Sequence, residues 1–167
     1  MRKMPKIMKR EKHKIFEPRE NAPKMLAMAK SDLCVARVGT KCECVIYETL
    51  CGLCHQSIEK SLKSLTIWNE GYYYQDHSII KLIDEMEKQQ IFLPDEIKTS
   101  ALEPVTTEGG FSFPLKSPFN FGIAVCSSDY SGDRRYHKPE NPITEPDYKK
   151  ILKRAENIVN WVEHQMQ

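Results

Sequence analysis

The sequence predicts an all-α fold: an up-and-down bundle of four or five helices with a long Pro/Gly-rich loop before the last one. Three observations carry that expectation. Apolar residues recur at three- and four-residue steps in several separated segments, the spacing that lines one face of an α-helix. Helix-start and helix-stop residues bracket those segments, with Thr144 before Glu145, Pro146 and Asp147 at one start and Gly39 and Gly71 after two ends. Most links between segments are short, which favours antiparallel neighbours.

Residues 1–20 are polar and lack apolar periodicity, so they are expected to be a flexible basic arm ahead of a bundle domain spanning 21–167. The first helix begins near Pro23, which suits a first helical turn, and presents Met25, Leu26, Ala29, Leu33 and Ala36 until Gly39. After Gly39-Thr40-Lys41, the residues Val45, Tyr47, Leu50, Cys51, Cys54, Ile58, Leu62 and Leu65 continue at helical spacing to about Trp68. Gly71 and a Tyr72-Tyr73-Tyr74 turn lead to Asp76, the expected N-cap of a third helix running to about Gln89. Its inner face is Ile79, Ile80, Leu82, Ile83 and Met86, with Lys81, Asp84, Glu85, Glu87 and Lys88 facing water. Pro94, Asp95 and Glu96 open a short fourth helix.

Between Glu108 and Ile143 the prolines and glycines break any long helix, which gives an inserted loop at 108–143. Phe111, Phe113, Phe119 and Phe121 indicate that it packs down, and Phe121 to Cys126 fits a strand. The last helix follows Thr144, and Tyr148, Ile151, Leu152, Ala155, Ile158, Val159 and Val162 define its inner face.

At 167 residues the chain suffices for one domain with its own core. A net charge of +2 conceals an N-terminal run of Arg2, Lys3, Lys6, Lys9, Arg10, Lys12 and Lys14 against the single acid Glu11. Such a run reads either as a solvated leader or as a contact for a polyanion. It lacks the apolar stretch of a secretory signal, and no run of about 18 apolar residues is present to span a membrane. A cytoplasmic protein with no membrane partner is expected. Its six cysteines, Cys34, Cys42, Cys44, Cys51, Cys54 and Cys126, are then reduced, five of them inside the expected helices.

Cys51-Gly52-Leu53-Cys54-His55 matches the c-type haem attachment pattern, but both cysteines fall on the buried-helix pattern, which favours core packing. Cys42, Cys44, Cys51 and Cys54 offer four zinc-binding sulfurs, yet one helix carrying all four would have to unwind to form a tetrahedron. No metal and no other cofactor is expected. Lys60 and Lys63 flank the apolar stripe and read as an anion clamp joined by Arg134 and Arg135, or as a solvated face paired to Glu59. His55 and His77 have the chemistry for acid-base work, or for a hydrogen bond inside the bundle and a cap in the first turn of helix three. His137 with Arg134, Arg135 and Tyr136 reads as an RNA-binding cluster or as plain surface loop. Phosphate-loop, nucleophile-elbow and H-E-x-x-H signatures are absent.

Several segments taken together carry a resemblance. They are Ala27-Met28-Ala29-Lys30-Ser31-Asp32-Leu33; His55-Gln56 with Glu59-Lys60, Leu62-Lys63 and Leu65; Asp76-His77 to Leu82; and Leu93-Pro94-Asp95-Glu96. With Arg135-Tyr136 and the helix from Ala155 to Val162, this order resembles the HEPN domain family, helical modules linked to nucleotides and RNA, over residues 18–166. The resemblance implies a five-helix bundle that often dimerises, and in many bacterial members a small nucleotidyltransferase partner in a toxin and antitoxin system. Ribonuclease members carry an arginine followed four to six residues later by a histidine, and no arginine here has that partner. Arg135-Tyr136 looks instead like the R-Y-P element of the non-nuclease branch, with His137 in place of the proline.

The first functional expectation is a non-catalytic nucleotide- or RNA-binding module using Lys60, Lys63, Arg134, Arg135 and Tyr136, acting as a homodimer or with a nucleotidyltransferase. One alternative is a metal-independent ribonuclease toxin, with His55 or His137 as general acid or base and Arg135 stabilising the phosphate transition state. A structural dimerisation subunit is the other.

Overall fold

The computed structural model describes residues 14–106, 112–114 and 143–167. Among them are five α-helices: α1 (Ala22–Gly39), α2 (Tyr47–Glu70), α3 (Ile79–Lys88), α4 (Asp95–Leu102) and α5 (Glu145–Gln165). Two short antiparallel ribbons accompany them, β1 (Lys14–Phe16) with β2 (Tyr72–Tyr74), and β3 (Val105–Thr106) with β4 (Ser112–Phe113). The all-α bundle predicted from periodicity is the fold.

Helix α1 buries Ala22, Ala29 and Ala36, seven residues apart, with Leu26 and Leu33 between them. These small side chains let helices approach closely, and at the C-terminal end even a methyl on Gly39 would come within 2.5 Å of Leu50 Cδ2. Helix α2 runs through the centre against both α1 and α5, so nearly every position from Ser57 to Ile67 is buried. Ser57, Ser61, Ser64 and Thr66 satisfy their hydroxyls on carbonyls one turn back, so they enter the core without leaving a donor unpaired. On α5, Tyr148, Ile151, Ala155, Ile158, Val159 and Val162 close the core, matching the predicted face except that Leu152 is only half-buried.

Polar contacts fix the helix registers. The Tyr148 hydroxyl donates to the Ala36 carbonyl at 2.6 Å, and its ring stacks on Tyr47. Arg37 places Nε and Nη2 on Glu156, and Lys30 pairs with Glu163, both linking α1 to α5. Buried Glu48 accepts the Ile143 backbone N–H at 2.9 Å, which pins the entry to α5 onto the start of α2. Thr144 caps α5 by accepting from Asp147 N.

Several expectations are corrected. Residues 14–20 are not part of an unstructured arm: Lys14–Phe16 pair with Tyr72–Tyr74, and Arg19–Asn21 form a 3-10 turn. The three tyrosines are therefore a strand rather than a turn, as β-favouring aromatics allow. Gly71 at φ 74° supplies the left-handed reversal between α2 and β2, and its carbonyl accepts from Glu17 N. Helix α2 starts at Tyr47, so Cys42 and Cys44 lie in the α1–α2 connection, exposed. The N-cap of α3 is Ser78, while Asp76 accepts from Ser78 N, so His77 precedes the helix. On α3, Ile80 is 51% exposed and Glu85 is buried, the reverse of the expected facing. Within the expected 108–143 loop, Ser112–Phe113 form a strand and Phe113 is fully buried. Phe111, Phe119, Phe121 and the proposed strand to Cys126 lie outside the described residues.

Candidate functional site

The register of the β1–β2 ribbon, Lys14 to Tyr74, Ile15 to Tyr73 and Phe16 to Tyr72, sorts its side chains onto two faces. Lys14, Phe16, Tyr72 and Tyr74 share the outer one. Phe16 is 77% exposed there, its ring 5.9 Å from Tyr72, and Tyr72 meets Tyr74 edge-on at 5.8 Å. The Lys14 ammonium lies 4.4 Å from the centroid of Tyr72. This is a basic and aromatic surface at the point where the cationic N-terminal run enters the fold.

The inner face of the ribbon carries Ile15 and Tyr73 and covers a polar cluster. His55, Glu59 and Lys63 recur every four residues and so share one face of α2. Lys63 Nζ donates to Glu59 Oε1 at 2.7 Å and lies 5.4 Å from the Tyr73 ring. The same carboxylate oxygen is 3.1 Å from His77 Nδ1, and since a carboxylate only accepts, the ring donates to it. His55 is fully buried, edge-on to Phe113, and its Nε2 donates to the His77 carbonyl at 2.9 Å. Burial pulls the His55 pKa below its usual 6.5, so the ring is neutral at physiological pH. His77, with 38% of its side chain exposed, is the member of this cluster that solvent reaches most readily.

The residues singled out from sequence are only partly brought together. Lys63 belongs to the buried cluster, where the pairing with Glu59 takes its charge. Lys60 points elsewhere, into an ion pair with Asp32 of α1 at 2.5 Å. His55 is enclosed rather than presented. Arg134, Arg135, Tyr136 and His137 lie outside the described residues. Sequence reading missed Glu59 as the shared acceptor and the whole outer face of the ribbon, although the spacing of His55, Glu59 and Lys63 signalled a common face.

The cysteines of the haem-like string are core residues. Burial pushes the Cys51 thiol far up and that of Cys54 up to about 12, which keeps both protonated and poor as metal ligands. Among the described residues no group of three or more Cys, His, Asp or Glu could hold a metal ion. Nor is any described helix long and apolar enough to cross a membrane.

Compared with known proteins, residues 22–165 match the family model described as HEPN domain. No curated protein and no solved structure matches the chain.

Proposed function

The chain belongs to the HEPN domain family, and on that premise we propose that it is a non-catalytic nucleotide- or RNA-binding module whose preferred ligand is single-stranded RNA. The observation that carries this reading is the outer face of the β1–β2 ribbon. Phe16, Tyr72 and Tyr74 offer rings on which unpaired bases stack, and Lys14 continues the cationic run that attracts the phosphates. Arg134, Arg135 and Tyr136 are proposed as further RNA contacts, and Lys60, paired with Asp32 of α1, as a separate phosphate contact made when phosphate displaces that carboxylate.

A binding role without cleavage is supported by His55, whose neutral, enclosed ring cannot approach a phosphodiester, and by the missing arginine-histidine spacing. Replacing Phe16 and Tyr72 together by Ala tests the reading, since both lie on the surface ribbon. Stacking is worth about 1–3 kcal/mol per base, so fluorescence anisotropy should find affinity for a single-stranded oligonucleotide at least about 5-fold weaker. Unchanged affinity contradicts the ribbon as the site.

Assembly as a dimer, or with a small nucleotidyltransferase, belongs to the same proposal. Met28, Val35 and Val38 are each more than half exposed and lie on one stripe of α1, an apolar surface suited to a partner. Light scattering that finds only monomer at high concentration contradicts the dimer.

A further inference from the structure

Cys42 and Cys44 belong neither to the buried polar cluster nor to the β1–β2 ribbon. Their Sγ atoms are 2.9 Å apart in the α1–α2 connection, and both side chains are exposed. The turn closed by Val45 N on the Cys42 carbonyl folds the two residues toward each other, where an extended chain would separate them. A disulfide needs its sulfurs at about 2.05 Å, less than an ångström closer than they already are. Two thiolates on one tetrahedral zinc, at about 2.3 Å each, would instead sit about 3.8 Å apart. The spacing therefore suits a bond between the sulfurs better than a shared metal.

We propose that Cys42 and Cys44 form a reversible intramolecular disulfide by exchange with a low-molecular-weight disulfide such as oxidised glutathione. The Cys42 thiolate attacks one sulfur of the small disulfide, forming a mixed disulfide and expelling one thiolate. The Cys44 thiolate then attacks the Cys42 sulfur and expels the second. Two protein thiols are oxidised, the small disulfide is reduced to two thiols, and the two protons pass to them.

The hydrogen bond between the two sulfurs favours the thiolate of Cys42 for the first attack, and the opposite order of attack closes the same bond. The buried alternatives, Cys51 and Cys54, are held as thiols and screened from reagent. Both cysteines are exposed, and an exposed disulfide is easily reduced, which suits this one to signalling rather than to stabilising the bundle.

The test is to equilibrate the full chain with oxidised glutathione, quench with an alkylating reagent, and read intact and peptide masses. The expected result is loss of two hydrogens within the peptide holding Cys42 and Cys44, reversed by excess reduced glutathione. Cys44→Ser should instead retain one glutathione on Cys42, and Cys42→Ser should abolish the intramolecular bond; both positions are exposed loop, so folding is preserved. Glutathione held stably on wild-type Cys42, a bridge to Cys34, or no reaction at all would each overturn the proposal. RNA affinity is not part of this readout, so the outcome is independent of the binding function.

Discussion

Glu59 is the residue on which the buried polar cluster depends, because one carboxylate oxygen serves both Lys63 and His77. Removing it strands the Lys63 ammonium at 7% side-chain exposure with its ion-pair partner gone. Breaking a buried pair this way costs about 3–5 kcal/mol, so Glu59→Leu should lose that much in urea unfolding. Glu59→Leu with Lys63→Met should recover most of it, since replacing both partners by apolar groups is often neutral. Additive losses in the double variant would show that the pair does not act as a unit. His55 gives this same region a pH dependence. Its folded pKa lies below the unfolded value of 6.5, so the unfolded chain takes up the proton first as pH falls. The stability His55 contributes is present above pH 6.5 and declines as pH drops from there toward the folded value. His55→Gln keeps a donor for the His77 carbonyl without titrating, and should flatten the acid limb of stability against pH. An unchanged acid limb would place the dependence elsewhere.

The elements that periodicity defined best are those with one covered face. Helix α5 was legible from its cap to its inner stripe because water lies on its other side. Helix α2 was legible as a helix, but not the burial of its polar residues: with neighbours on several sides, Lys63 and the serines are buried where a surface helix would expose them. The β1–β2 ribbon was illegible for a different reason. Three-residue strands carry too little alternation to read, and Lys14 finds its partner at Tyr74, far along the chain. Gly71 makes that pairing sterically easy through its left-handed backbone. Gly71→Ala should cost about 1–2 kcal/mol in thermal or urea unfolding, from backbone strain alone, because the nearest atom to an added methyl is an unobstructing 3.9 Å away. No loss of stability would contradict that local account.

At the scale of the molecule, the α1–α2–α5 core fixes the outer surfaces that remain for partners. The family and the helical architecture could be read from separated motifs because helix-forming patterns are local. The site could not, because its parts meet only through tertiary contacts. Lys60 and Lys63, neighbours in sequence, end in different ion pairs, while Phe16 and Tyr72 come together across the ribbon. The central claim is that this basic and aromatic surface binds single-stranded RNA, and it is tested most directly by titrating the full chain with a single-stranded oligonucleotide at increasing salt. Binding should saturate at low salt, log affinity should fall linearly against log salt as counterions are released, and a duplex of the same sequence should compete more weakly. Absence of binding at low salt, or equal competition by the duplex, would contradict the claim.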